Sequence, residues 1–213
     1  MRVIAIDGPA GSGKSTIGRA LADRLGLTYL DTGAMYRAVA FAVLRDGVAL
    51  DDDIAVGTIA RGIDLKIGDG FVSVDGVDVT DEVRGPEVSA AVSAVAALPS
   101  VREVLRDRQR TWAAEMGGGV IEGRDIGSVV FPDAILKVYL TASAEVRAAR
   151  RALQLGETDT ESIAKAMAAR DIADSTRADS PLVEPDGSVT VDSTGLGIDE
   201  VVDVLVELME SRS

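Results

Sequence analysis

The sequence predicts an α/β fold built on a parallel sheet, and two observations carry this prediction. Strand-like and helix-like segments alternate along most of the 213 residues, a pattern typical of parallel strands connected by covering helices. The strand-like segments are short, continuous apolar runs, as expected for strands that are buried on both faces. A chain of this length can also bury a substantial apolar core.

The elements of this sheet follow one another along the chain. Apolar runs predict five buried strands, at residues 2–7, 28–30, 119–121, 135–140 and 188–191. Helical spacing of apolar residues predicts helices at 14–26, 34–45 and 198–209. In the first of these helices Ile17, Leu21 and Leu25 share one face, and Gly26 ends the helix.

The periodicity changes between residues 63 and 83. Residues 63–67, 71–74 and 77–79 alternate with period two, separated by Gly68-Asp69-Gly70 and by Asp75-Gly76. This pattern predicts a small antiparallel meander inserted into the α/β protein. Two helices are predicted to follow it, at about 86–98 and 101–116, the second beginning after Pro99.

These elements suggest a division of the chain. We expect a core formed by residues 1–34 and 101–213 and an insert formed by residues 35–100. A polar break at residues 156–159 separates two charged helices. It predicts a short mobile lid at residues 151–162, within the core.

Composition excludes several kinds of site. The chain has 22 Lys and Arg against 35 Asp and Glu, giving a formal charge of −13, which argues against a nucleic-acid polymer as partner. It contains no Cys and no His, so thiolate nucleophiles, Ser-His-Asp triads and Cys or His metal sites are impossible. No apolar stretch has the length of a signal peptide core or a membrane span. We therefore expect a cytoplasmic protein without a membrane partner.

A glycine-rich loop follows the first strand and matches the pattern G-x-x-x-x-G-K-[ST]. Such a loop turns successive backbone N–H groups toward phosphate oxygens, at the positive end of the next helix. Lys14 is placed to reach the β- and γ-phosphates, Ser15 to hold Mg²⁺, and Thr16 to donate to the α-phosphate. The alternative is an ordinary glycine-rich turn. The predicted ATP-binding residues of this loop are Gly8, Pro9, Ala10, Gly11, Ser12, Gly13, Lys14, Ser15 and Thr16.

The loop alone leaves several classes of protein open. The chain lacks the Asn/Thr-Lys-x-Asp motif of GTPases, and its length suits a small-molecule kinase with two anionic substrates. Another P-loop kinase, such as an adenylate or shikimate kinase, remains an alternative. A nucleotide-dependent regulatory switch is a second alternative, and a structural relic with a degenerate site is a third. Intact Lys14 and Ser15 argue against the relic.

Further polar residues follow the predicted strands, at the sheet edge where α/β proteins bind ligands. Tyr36 and Arg37 lie after the second strand, with a core or rim aromatic as the alternative for Tyr36. Glu122, Arg124 and Asp125 follow the strand at 119–121. The segment 170–177 comes after the polar break, and its alternative is a solvated helix with local ion pairs.

Longer runs resemble the bacterial cytidylate kinases of the nucleoside monophosphate kinase family, over essentially the whole chain. The most specific is G-R-D-I-G-S-V-V-F-P-D-A at residues 123–134. The other runs that carry the resemblance are at residues 6–16, 30–37, 101–110, 151–155, 170–177 and 191–194, together with the β insert ending near Val83 and Arg84.

The resemblance implies a P-loop kinase core with a five-stranded parallel sheet, an insert that binds the monophosphate, and a short lid. It implies that a monomer phosphorylates CMP and dCMP with ATP and Mg²⁺, using Lys14, Arg124, Arg170 and Arg177 in catalysis. Arg150 and Arg151 match the arginine pair beside the lid. The residues expected at CMP are Thr32, Tyr36, Arg37, Ser93, Arg102, Arg124, Asp125, Arg170, Asp174 and Arg177.

Two positions depart from the family pattern. Thr32 stands where Ser is common, which keeps the hydroxyl and adds a methyl group. Glu122 stands where Asp is common, which moves the carboxylate outward by one methylene.

Overall fold

A computed structural model describes residues 1–68 and 70–211. The strands in this part of the chain are β1 (Arg2–Asp7), β2 (Tyr29–Asp31), β3 (Leu65–Gly68), β4 (Phe71–Val74), β5 (Val77–Asp78), β6 (Gly118–Gly123), β7 (Leu136–Thr141) and β8 (Val189–Asp192). The α-helices are α1 (Lys14–Leu25), α2 (Thr32–Arg45), α3 (Asp53–Gly62), α4 (Pro86–Ala97), α5 (Pro99–Met116), α6 (Ala144–Leu155), α7 (Thr160–Thr176) and α8 (Ile198–Glu210). A 3₁₀ turn (Glu82–Arg84) and a π-helical turn (Ile126–Val130) complete the described elements.

The predicted five-stranded parallel sheet is confirmed. Its strand order is β2-β6-β1-β7-β8, and central β1 pairs in parallel with both β6 and β7. Strand β6 is longer than predicted, because Glu122 and Gly123 continue the ladder opposite Ile6 and Asp7. Glu122 therefore lies in the strand rather than in the loop that follows it.

The chain forms two compact units. The first comprises Met1–Tyr29 and the chain from Met116 onward. In its core, Ile4, Leu21, Leu140 and Leu205 pack together from β1, α1, β7 and α8. This packing explains why the strands are continuous apolar runs.

The second unit comprises Leu30–Glu115. Helix α2 packs against α3 and α4, and Val39, Val43 and Val95 are fully buried. Helix α5 belongs to this unit except for its last residue, Met116. Among the described residues no single helix is long and apolar enough to cross a membrane, although the pair α4 and α5, bent by 94°, passes on length and composition alone.

The predicted antiparallel meander is confirmed as the three-stranded sheet β3-β4-β5. Asp75 and Gly76 both have positive φ, of 54° and 80°, as the tight hairpin between β4 and β5 requires. The other predicted turn contains Asp69, which lies outside the described residues.

Several helix boundaries differ from the predictions for local reasons. Helix α2 begins at Thr32, because the Asp31 carboxylate accepts a hydrogen bond from the Ala34 N–H and caps the helix. Helix α3 was not predicted; the Asp52 side chain caps it in the same way. Helix α5 begins at Pro99 itself, since proline is compatible with the first turn of a helix.

Candidate active site

The glycine-rich loop connects the end of β1 to the start of α1, as its predicted role requires. Gly8 has a φ of 150°, and a Cβ there would lie 2.0 Å from the Leu140 carbonyl oxygen. Gly13 precedes α1 with a φ of 93°, in the left-handed region. Only glycine fits these two positions without strain, so the sequence pattern reflects the backbone geometry of a phosphate loop.

Lys14 is buried at the first position of α1, with 7% of its surface exposed. Its Nζ donates to the Pro9 carbonyl oxygen at 2.7 Å, so the side chain folds back over the loop. Burial, reinforced by the Arg124 guanidinium, lowers the pKa of Lys14 to about 7, while Glu122 acts in the opposite direction. A polyphosphate against Nζ would favour the charged form, so the site suits a polyanion.

Ser15 points to the end of β6. Its hydroxyl donates to Glu122 Oε1 at 2.6 Å, and the Tyr29 hydroxyl donates to the same oxygen at 2.5 Å. These are hard oxygen groups of the kind that Mg²⁺ accepts. The described residues contain no group of three or more Asp, Glu, His or Cys side chains able to hold a metal. A cation here would take few protein ligands, which fits Mg²⁺ carried by substrate phosphates and water.

Four predicted site residues meet beside the π-helical turn and α7. The Arg124 Nε donates to Asp174 Oδ2 at 2.9 Å, and the Arg170 Nε lies 4.0 Å from the same oxygen. Arg170 also contributes to lowering the pKa of Lys14. The predicted residues Lys14, Arg124, Arg170 and Asp174 are therefore close together.

Arg177 and Asp125 form a second pair. Arg177 Nη2 lies 3.7 Å from Asp125 Oδ1, and both side chains are almost fully buried. The alternative interpretation of Arg177, as part of a solvated helix surface, is therefore wrong.

The two predicted lid arginines behave differently. Arg150 donates to the carbonyl oxygen of Ser193 at 2.8 Å and to that of Ser12, in the phosphate loop, at 3.4 Å. Arg151 donates to Gln154 on its own helix at 2.8 Å. The structure thus links Arg150 to the phosphate loop and Arg151 to its neighbour on α6.

The second unit holds the remaining predicted residues. Thr32 is buried, and the Arg37 Nη2 donates to Asp31 Oδ2 at 2.8 Å. Arg102 is 1% exposed, and its guanidinium carbon lies 5.7 Å from the centre of the Tyr36 ring. This stacking brings two predicted residues together. Ser93 is half-buried on α4, which packs against α2.

A protein-family comparison covers almost the whole chain. The family described as cytidylate kinase matches residues 4–211. The chain belongs to the cytidylate kinase family. The cytidylate kinase of Rhodococcus opacus (strain B4) is 51% identical over 219 residues, covering 99% of this chain and 96% of that protein.

Two further proteins extend this comparison. The bifunctional pantoate ligase/cytidylate kinase of Parasynechococcus marenigrum (strain WH8102) is 48% identical over 99% of this chain, which spans 44% of that protein. Shikimate kinase from Acinetobacter baumannii, solved in complex with shikimate, has a TM-score of 0.51 at 14% identity and covers 100% of this chain and 95% of its own. At that identity the likeness shows a shared P-loop kinase fold alone.

Sequence reasoning missed two residues at the phosphate loop of this family member. Arg147 Nη1 donates to the Ala10 carbonyl oxygen at 3.1 Å and to Asp171 Oδ2 at 2.6 Å, and so connects the loop to α7. Ser193 Oγ donates to the Ser12 carbonyl oxygen at 3.0 Å. The run at 191–194 contains Ser193, whereas nothing local distinguishes Arg147 from the other arginines of α6.

Asp7 was also missed. The oxygens of its carboxylate accept hydrogen bonds from the backbone N–H groups of Ile126 and Gly127, at 2.8 and 2.7 Å. Burial raises the pKa of Asp7 to about 6, against these two bonds. Its position immediately before Gly8 was the available signal.

Proposed function

We propose that the protein transfers the γ-phosphoryl group of ATP to CMP, and to dCMP, with release of ADP and of CDP or dCDP. The observation that carries this proposal is the position of Lys14, buried in the phosphate loop near Arg124 and Arg170, where burial first and these two guanidinium groups next lower its pKa. Family membership supports CMP as the acceptor.

The proposed transfer relies on alignment and charge rather than on a strong base. In the transition state the moving phosphoryl group is loose and its negative charge is spread over the equatorial oxygens. Lys14, Arg124, Arg170 and Arg177 would balance this charge, and guanidinium groups match phosphate oxygens with paired donors. This chemistry is compatible with a chain that has no histidine.

The ATP side of the site is assigned to the phosphate loop. Backbone N–H groups of residues 10–13 would surround the β-phosphate, with Lys14 reaching the β- and γ-phosphates and Thr16 the α-phosphate. Ser15 would hold Mg²⁺, which when bound neutralises charge on the β- and γ-phosphates. Arg150 already bonds a loop carbonyl, and with Arg151 it would complete the ATP side.

The residues proposed at CMP come from several segments of the chain. Arg37 and Arg102 would bind the monophosphate or the base, with Thr32, Tyr36 and Ser93 beside them. Arg124, Asp125, Arg170, Asp174 and Arg177 are also assigned to CMP. We assign the insert at 35–100 to binding of the monophosphate, and the P-loop kinase core at 1–34 and 101–213 to ATP and to the CMP residues that lie outside the insert.

The lid at 151–162 is proposed to close over bound nucleotides. Closure would exclude water, which otherwise competes as an acceptor of the phosphoryl group. We also propose that the protein is a cytoplasmic monomer. Its proposed partners are small nucleotides, without nucleic-acid polymers or membranes.

A coupled assay of ADP release from MgATP, run against CMP, dCMP, UMP, AMP, GMP and shikimate, tests the function. We expect turnover with CMP and dCMP. Turnover confined to AMP or shikimate would instead identify another P-loop kinase. A regulatory switch would hydrolyse ATP slowly, with no dependence of ADP release on any acceptor. Lys14→Ala, which removes the cation at the loop, is the control for contaminating kinases.

A further inference from the structure

Glu122 Oε1 accepts hydrogen bonds from two hydroxyl groups at once. The Ser15 hydroxyl donates to it from the first turn of α1 at 2.6 Å, and the Tyr29 hydroxyl from the start of β2 at 2.5 Å. Glu122 is 4% exposed, so water competes little for these bonds. Three residues of the first unit, Ser15, Tyr29 and Glu122, thus meet at one carboxylate oxygen.

This arrangement decides how the Ser15 hydroxyl is oriented. A serine hydroxyl has one proton and two lone pairs. Because its proton is directed to Glu122, the lone pairs of Ser15 Oγ remain for a cation. If the carboxylate turned away, the hydroxyl would be free to rotate and to direct its proton elsewhere.

The Tyr29 ring is itself held in place by α1. The guanidinium carbon of Arg19 lies 4.6 Å from the ring centre, a cation–π contact. Gly18 of the same helix also allows a close approach, since a Cβ there would lie 2.9 Å from Tyr29 Cε2. The phenol hydroxyl is therefore presented to Glu122 by a ring with little freedom.

We propose that Tyr29 is a positioning residue for the metal–nucleotide site: its hydroxyl fixes the Glu122 carboxylate, which in turn directs the Ser15 lone pairs toward Mg²⁺. The inference rests on the proposed function. It adds a residue that touches neither substrate nor cation and acts through Glu122. Residues that orient metal ligands in this way commonly change metal affinity by 10–100-fold when removed.

The test measures Mn²⁺ binding in the presence of ADP by electron paramagnetic resonance, which reports binding independently of turnover. Tyr29→Phe removes only the hydroxyl and keeps the ring. We expect it to weaken Mn²⁺ binding to the ADP complex by about tenfold, with metal-free ADP affinity unchanged. Thr28→Val is the matched control, because it removes the neighbouring hydroxyl, which bonds the Gly118 carbonyl oxygen instead.

A double-mutant cycle separates positioning from a merely structural effect. In a Glu122→Ala background, Tyr29→Phe should change Mn²⁺ affinity less than about twofold, because the acceptor on which Tyr29 acts is gone. Equal loss in both backgrounds, or no loss in wild-type background, would overturn the inference. Absence of Mn²⁺·ADP binding by the unaltered protein would overturn the proposed function as well. Melting curves of each variant identify any failure to fold.

Discussion

Arg177 forms a buried ion pair with Asp125, whose Oδ1 lies 3.7 Å from the guanidinium Nη2. Neither side chain is more than 7% exposed. Breaking a buried pair by removing one partner leaves an uncompensated charge, which typically costs about 3–5 kcal/mol. The pair therefore makes Arg177 important for stability as well as for the transferred charge.

We predict that Arg177→Ala loses both turnover and stability. Loss of an arginine that acts on the transition state lowers the turnover number by about 10³-fold or more, and loss of the ion pair with Asp125 lowers the free energy of unfolding. Arg177→Lys should recover much of the stability but little of the turnover, because a point charge lacks the paired donors. Steady-state kinetics and urea unfolding measure the two effects.

The exposed pair of Arg24 and Asp203, whose side chains are 50% and 59% exposed, provides a control for the Arg177 variants. Arg24→Ala should cost no more than about 1 kcal/mol of stability. Wild-type turnover in both Arg177 variants would remove this residue from the proposed chemistry.

Lys14→Ala is predicted to abolish phosphoryl transfer while the protein remains folded. The side chain reaches over the phosphate loop to the Pro9 carbonyl oxygen, and its positive charge is disfavoured by burial. Removing it should therefore not destabilise the nucleotide-free protein. The measurements are ADP release with CMP and a thermal melt; near wild-type turnover would contradict the assignment of the loop.

The lowered pKa of Lys14, about 7, predicts that ATP binding depends on pH. At pH 8 the nucleotide-free protein holds Lys14 mostly neutral, and bound phosphates favour its charged form, so binding takes up a proton. At pH 6 the lysine is already charged and uptake by this group is small. Calorimetry in buffers of different ionisation enthalpy counts the protons. The extra uptake at pH 8 should vanish in Lys14→Ala.

Arg37→Ala and Arg102→Ala are predicted to weaken the binding of CMP much more than the binding of ATP. A charge-assisted hydrogen bond contributes about 1.5–3 kcal/mol, so each loss should raise the dissociation constant of CMP by about 10- to 150-fold. Arg102→Ala should also lower the melting temperature, because this fully buried side chain stacks on Tyr36. Titrations that show an equal loss of affinity for ATP would contradict the placement of these residues on the acceptor side.

The parts of the molecule that could be predicted are those that are determined by short stretches of sequence. The phosphate loop, the five apolar strands and the meander each depend on neighbouring residues. The capping of α3 by Asp52 is also local, but the run at 53–62 lacks a pattern strong enough to reveal it. Glu122 was expected in a loop, because its place in β6 depends on pairing with β1, far away in sequence.

Long-range side-chain contacts account for most of what was missed at the site. In the sequence Tyr29 is indistinguishable from an ordinary aromatic residue of a strand. Its hydrogen bond to Glu122 joins residues that are 93 positions apart. Arg147 is one of several arginines on α6, and only the folded chain places it against Ala10 and Asp171. The family resemblance supplied Arg102 and Ser93, which no local pattern singles out.

Asp7 joins two segments that lie far apart in the chain. Its carboxylate holds the N–H groups of Ile126 and Gly127, and its own residue continues directly into the phosphate loop. Local unfolding of the π-helical turn must break both bonds, so this turn should open as one cooperative unit with the end of β1, where the phosphate loop begins. In native-state hydrogen exchange, the Ile126 and Gly127 amides would then show the same free energy of opening as amides at the centre of the sheet. Asp7→Ala, which removes both acceptor oxygens, would release them as a pair.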